Sequence, residues 1–365
     1  MLEAFGGTID TAASDEIQKQ NRAHFAEWRH KHAVLDFFGQ IPEDIRRIVQ
    51  AYRERRWHIL NLLARCPGTD ELHHSNPAIC YMLASNWVFR KPAVKQPMRA
   101  ARSLVRRPQR QILDWLGFPA TEAVRKILAK INPESLSVNN LLYLRTALAD
   151  QGICKLLSHL PTINTGVLFL VNSKATSPSI TPRLLAEVAA DPKQASEATT
   201  YRTLCDTLNM AGMTGDTSCP QLFGTIPRLI KVHDRLTERL NTMFDNGPGI
   251  LQEIRGVPQT LPDPPFPGTE TITPITTTRG LFEEGKNMHH CVGSYARMVA
   301  DRRLYVYRVT SPVRATAAIY LKDDQWIILQ TTGPRNVNIP DNVIETIRKA
   351  IFTSKAAYAH NLLSL

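Results

Sequence analysis

Between residues 258 and 274 the chain places six prolines: Pro258, Pro262, Pro264, Pro265, Pro267 and Pro274. Each fixes φ near about −65° and removes a backbone donor, so no helix continues through this stretch. It reads as an extended connector whose approach is marked by Asn246-Gly247-Pro248-Gly249. The texture differs on its two sides. We therefore expect an α+β protein in three parts: a mostly α-helical region over 1–247, a connector over 248–274 and a small α+β domain over 275–365.

The helical region reads as short segments. One begins near Ser14-Asp15-Glu16, with Phe25, Trp28, Val34, Phe37 and Phe38 as its apolar stripe. Pro42-Glu43-Asp44 places proline and acids at another helix start, which suits the positive end of the dipole. That helix is expected to run through Ile45, Tyr52 and Leu62. Asn76-Pro77 opens a third through Tyr81, Trp87 and Val88, and further helices follow over 110–150, 182–211 and 226–245. Short helices broken by Pro, Gly and Asn suggest stacked hairpins without a fixed repeat.

Beyond the connector, 278–285 leads to a helix expected over about 289–301. Three strand-like runs follow at 304–309, 316–322 and 326–332, and Asp323-Asp324-Gln325 forms a tight turn between the last two. The expectation is a three-stranded antiparallel meander flanked by helices, the last of them starting near Pro340 and carrying Val343, Ile344, Ile347 and Ile351.

Apolar residues make up 43% of the chain and charged residues 21%, the balance of an ordinary folded protein. The first residues lack the basic and apolar regions of a signal peptide, and no apolar run reaches bilayer length. Cys66, Cys80, Cys154, Cys205, Cys219 and Cys291 are widely spaced, which suggests reduced thiols in a cytoplasm. The net charge of +11 is uneven: residues 90–130 hold eleven Lys and Arg against Asp114 and Glu122. Arg99, Arg102, Arg106, Arg107 and Arg110 are the candidate contacts to nucleic acid or another polyanion, or else a solvated basic face.

Reactive groups concentrate in Met288-His289-His290-Cys291-Val292-Gly293-Ser294-Tyr295. Neighbours on a helix point about 100° apart, so His290 cannot deprotonate Cys291 from within one regular helix. Two arrangements avoid this. In one, His289 and His290 precede the helix and Cys291 sits in its first turn, where the dipole and an imidazolium lower the thiol pKa from about 8.5. In the other, the base comes from afar, with His233 and His360 as candidates. Tyr295, four residues on, shares the face of Cys291. Gln330 and Asn336 offer amides to orient an imidazole or stabilise an oxyanion.

The structural alternatives are specific. Cys291 and Val292 suit a core, His290 suits a helix cap, and Arg308 suits a carboxylate partner. Gln330 shares its strand face with Trp326 and Ile328, which would bury its amide. A metal site is not expected from His289, His290 and Cys291, nor from Cys66, His73, His74 and Cys80, because neither spacing converges on one ion. No phosphate-binding glycine loop, HExxH, GxSxG or dinucleotide fingerprint is present, so no cofactor is expected.

Taken in order, Glu284-Gly285, the run from Met288 to Tyr295, a strand ending in Arg308, Ala315-Thr316, and Gln330 with Gly333 and Asn336 resemble the PcfJ-like family. That family is named for a protein of a conjugative plasmid and is marked by a His-Cys-Val motif. The resemblance covers roughly residues 270–352. It implies a soluble protein of bacteria, plasmids or phages, and its motif falls on His290, Cys291, Val292, Tyr295, Arg308, Thr316, Gln330, Gly333 and Asn336. The functional expectation is a Cys/His-dependent hydrolase or transferase, with Cys291 as nucleophile and His290 as acid/base. The alternative is a non-enzymatic nucleic-acid-binding protein using the basic helical region.

Overall fold

A computed structural model describes residues 39–90, 95–194, 198–243, 257–322 and 325–362, with side chains to residue 354. The helix expected around Phe25, the boundary at 246–249, the turn residues Asp323 and Asp324 and the His360 side chain lie outside the described residues. The chain forms two compact units, Met1–Cys154 and Lys155–Leu365. All six cysteines are free. No helix among the described residues is long and apolar enough to cross a membrane.

The first unit is built from short helices, but the one expected to run through Ile45, Tyr52 and Leu62 is two, Glu43–Gln50 and Arg56–Arg65, parted where Arg55 turns left-handed at φ 63°. Its centre is the helix Pro77–Ala84, in which residues 78–84 are all buried. Proline at its first position needs no hydrogen bond there, and Asn76 caps it by accepting from the Ile79 amide at 3.3 Å. The helix expected to continue through Val88 breaks at Ser85, and Asn86–Phe89 forms a separate turn. Helices α1 (Pro97–Leu104) and α2 (Gln109–Trp115) carry the arginine-rich stretch. Arg99, Arg102, Arg106, Arg107 and Arg110 are all exposed. The Arg106 and Arg110 Nε atoms donate to the Pro67 and Ala120 carbonyls at 3.3 and 2.8 Å.

In the second unit the helix expected over 182–211 is two helices, Pro182–Ala190 and α3 (Thr199–Thr214). Pro192 explains the break, because the residue before a proline resists helical geometry. Helix α4 (Ile226–Met243) packs along α3. The sheet that follows has four strands in the order β1 (Ile272–Pro274), β2 (Leu304–Val309), β3 (Ala315–Lys322) and β4 (Gln325–Thr332), all antiparallel. The expected meander is correct, but three strands become four. The fourth lies at the end of the proline-rich stretch, where Pro274 is tolerated because β1 is an edge strand.

The connector is bound into this unit. Leu261 and Thr276 share a backbone hydrogen bond at 2.9 Å, and Tyr307 donates its hydroxyl to the Phe266 carbonyl at 2.9 Å. The Phe266 ring meets Phe352 at 5.2 Å. One face of the sheet, with Tyr305, Tyr307, Val309, Ala315, Ala317 and Ile319, packs against Ile347 and Ile351 of helix α5 (Asp341–Leu362). The opposite face carries Arg308, Thr316 and Gln330.

That Gln330 reaches this opposite face depends on one irregularity. Ile319 pairs with Ile328, but Ala318 pairs with Gln330, so Leu329 is an extra residue in β4. Side chains alternate along a strand, and one inserted residue reverses every face beyond it. Trp326 and Ile328 therefore pack on the α5 side. Gln330 does not share their face, contrary to the alternation of the sequence.

Ile347 is fully buried between α5 and the sheet. Truncating it to alanine leaves a cavity in the core, and Ile347→Ala should lower unfolding stability by about 2–5 kcal/mol. Urea denaturation of the variant beside the parent checks this, and a loss well under 1 kcal/mol would show that the helix does not clamp the sheet there.

Candidate functional site

The motif lies outside any α-helix. The helix Thr278–Met288 leads into it. Thr277 caps Thr278–Met288 by accepting from the Gly280 amide at 3.0 Å. The helix ends at His289, whose φ of 53° and ψ of 48° are left-handed, and the His290 amide then bonds the Gly285 carbonyl at 3.0 Å. His290 is extended, and Cys291–Tyr295 forms one buried 3₁₀ turn. A Cβ on Gly293 would stand 2.5 Å from Phe282 Cδ1, so only glycine lets this turn lie against the helix. The helix expected over 289–301 is thus a turn followed by the short helix Ala296–Ala300. Both histidines precede the helical turn and Cys291 opens it, as the first of the two arrangements requires.

His290 nevertheless does not face the thiol. Its Nε2 lies 2.9 Å from Thr316 Oγ1, and the Thr316 hydroxyl in turn donates to Glu284 at 2.6 Å. The single hydroxyl hydrogen is committed to Glu284, so Nε2 must be the protonated ring nitrogen and Nδ1 the bare one. His290 Nδ1 is buried with no hydrogen-bond partner. Burial, above all, pushes the imidazole pKa down to about 4. His290 is therefore a neutral ring held in the Thr316–Glu284 network, and among the described residues no hydrogen bond joins it to Cys291.

Glu284 is the hub of that network. It is fully buried and bonds Arg308 Nε at 2.8 Å and an Arg314 terminal nitrogen at 2.6 Å. Burial pushes its pKa up, but hydrogen bonds from Arg314, Thr316 and Arg308 outweigh this and hold the carboxyl below its usual range. Arg308 accordingly binds a carboxylate, the structural alternative for that residue. Depression of a carboxyl pKa stabilises the fold above the ordinary carboxylate range, and the benefit is lost as pH falls through the native value. Glu284→Gln should cost roughly 1–3 kcal/mol at neutral pH, less than a fully enclosed pair because both arginines are part-exposed. Melting curves across acid pH check this: the gap between parent and variant should close on acidification, and a gap that is constant with pH would sink the assignment.

Cys291 meets a different set of groups. Its thiol donates to Asp206 Oδ2 at 3.6 Å, and the Tyr295 hydroxyl donates to the same oxygen at 3.3 Å. The Gln330 amide donates to the Tyr295 oxygen at 3.0 Å. Asp206 sits on α3 and His233 on α4, and one donor atom each from Asp206, His233 and Cys291 lie within 4.8 Å of one another. His233 Nδ1 is 3.2 Å from Asp234, which leaves Nε2 as its open nitrogen. Burial first, and then the Asp206 charge, raise the Cys291 thiol well above its ordinary pKa; burial likewise raises the Asp206 carboxyl. The expected lowering of the thiol pKa is reversed, first because the thiol is buried and then because its nearest charged neighbour is an acid rather than an imidazolium.

These groups floor a cleft of about 600 Å³ whose walls include Arg202, Ile230, Arg335 and Asn336. Asn336 thus lies in the cleft beside Gln330. His289 is separate: it is exposed and lines an adjoining hollow of about 530 Å³ with Lys286 and Asn241. The sequence reading missed Asp206, and it noted Glu284 only as part of the family resemblance and gave it no role. A faint signal existed for Asp206, an acid placed one residue from Thr207 and four from Met210 on the buried stripe of α3. His233 had been named only as a distant candidate. Among the described residues, the group able to converge on a metal is Asp206, His233 and Cys291. It contains neither set weighed from the sequence; in the first unit Cys66 instead approaches Met98, sulfur to sulfur, at 3.9 Å.

Comparison with curated proteins and with solved structures gives no significant match. A family model described as PcfJ-like protein matches residues 203–347, a span that begins well before the connector and takes in Asp206 and His233 as well as the His-Cys-Val motif. Most of the residues that build the cleft lie within this span, which is similar to the PcfJ-like family.

Proposed function

We propose that the cleft of the second unit is an active site for a hydrolase or transferase, with Asp206, His233 and Cys291 as its reacting groups. The observation that carries this reading is the convergence of a carboxyl, an imidazole and a thiol from three separate elements on the floor of one cleft. The fold sets a half-buried acid against a buried thiol, a pairing that packing alone does not call for. Asp206 takes the place of His290 as the group within reach of the Cys291 proton. His233 supplies an imidazole that Asp234 orients. Tyr295 and Gln330 hold the Asp206 carboxyl in place, and Asn336 and Arg335 present polar contacts to a substrate at the walls.

The test is turnover of chromogenic esters, phosphoesters and peptide amides by the full chain. Cys291→Ala, Asp206→Asn and His233→Gln should each reduce hydrolysis at least about 100-fold, the scale of losing a group that acts in the transition state, with an unchanged circular dichroism spectrum. Parent-like rates in all three variants would refute the reading.

The exposed arginines of α1, α2 and the segment between them support a second activity, located in the first unit. We propose that Arg99, Arg102, Arg106, Arg107 and Arg110 bind a nucleic-acid backbone. Only Asp114 and Glu122 oppose them over 90–130, and Glu122 is already paired with Arg125 at 2.6 Å. Each arginine on a phosphate releases condensed counterions, so affinity should fall steeply with salt. Replacing Arg102, Arg106 and Arg107 by alanine should flatten the slope of log K against log salt by about 3, one per lost contact. Filter binding at low salt measures it; no retention of DNA or RNA would end the proposal.

A further inference from the structure

We infer that Asp206, His233 and Cys291 bind a divalent transition metal, zinc before others, at the floor of the cleft; the inference rests on reading that cleft as the reaction centre and names its cofactor. The donor set is the first argument. Thiolate, imidazole and carboxylate in combination suit zinc, whereas magnesium and calcium take oxygen donors. Three protein donors with the fourth side open to a cleft is the arrangement of zinc sites that retain a water, and a water so held is activated for hydrolysis.

Distances are the second argument. Zinc bonds of about 2.3 Å to sulfur and 2.0 Å to nitrogen or oxygen place tetrahedral donor atoms roughly 3.3–3.6 Å apart. The Cys291 sulfur and the Asp206 oxygen are already 3.6 Å apart. The widest separation in the trio is within 4.8 Å, which small side-chain rotations close by about the ångström required. All three donors come from secondary structure rather than from loose termini: α3, α4 and the 3₁₀ turn.

The surroundings are the third. Asp234 holds the opposite nitrogen of His233, the carboxylate–histidine arrangement that orients a metal-bound ring. Tyr295 steadies Asp206, and Gln330 steadies Tyr295 in turn. A divalent ion would hold both the thiol and the carboxyl as anions facing one positive charge.

The experiment is titration of the full chain, purified in chelator and then freed of it, with cobalt(II) and with zinc. Cobalt should produce a thiolate-to-metal charge-transfer absorption and the strong visible bands of a four-coordinate ion, and zinc should displace them. Cys291→Ser should abolish the charge-transfer absorption, while Cys219→Ser should retain it. Asp206→Asn, which keeps the sulfur, should retain the absorption at weaker affinity, and Asp234→Asn should weaken binding about 10-fold. Folding of each variant is followed by circular dichroism, so the pair Asp206→Asn and Asp234→Asn serves if Cys291→Ser does not fold. No charge-transfer absorption in the parent, or one that persists in folded Cys291→Ser, overturns the metal site. Loss of turnover in the three active-site variants without metal binding would leave the enzymatic reading standing and remove the ion. Metal binding with parent-like turnover in those variants would do the reverse.

Discussion

A single buried carboxylate organises the PcfJ-like segment. Glu284 lies near the end of the helix Thr278–Met288 and is held by Arg308 of β2, by Arg314 just before β3 and by Thr316 of β3. A charge without access to water persists only if its oxygens find donors, and here three side chains supply them. The helix end is thereby pinned to two strands. The chain that leaves it, from His289 through Tyr295, has its direction fixed before it reaches the thiol. His290 closes the same network through Thr316, and its neutral ring is a brace between turn and sheet.

Two further devices bring chemistry to that turn. The extra residue in β4 turns Gln330 away from the Trp326 and Ile328 side and toward Tyr295. Helices α3 and α4 carry Asp206 and His233 to the sulfur. Each device gives up something local: a ladder is interrupted by a bulge, and a half-buried acid is set against a buried thiol. Such departures from the best local choice mark functional positions more often than packing errors do.

Legibility from sequence followed the range of the interactions involved. The strand over 304–309, the turn-linked pair after it and the final helix were readable, since alternation and helical spacing are local signals. Edge strand β1 was not, because a three-residue strand ending in proline has no pattern of its own. The place of Cys291 at the opening of a helical turn was foreseen, and its partner was not. His290 is adjacent in sequence but is drawn to Thr316, 26 residues on. Asp206, 85 residues away, is what the thiol meets. The proline-rich stretch was read as a link between domains, yet Phe266 and Tyr307 stitch it to the sheet.

The sequence by itself determined where helices stop, which strands alternate and which short motif concentrates an imidazole, a thiol and a phenol, because capping, proline geometry and side-chain periodicity act over a few residues. Tertiary structure alone decided which of those groups touch. Burial sets each pKa through neighbours supplied by remote segments, and one bulge residue reverses a face that periodicity assigns. For that reason the cysteine was visible in the chain and His233 stood as one distant candidate, whereas Asp206 and the meeting of all three became visible only when α3 and α4 were laid beside the turn.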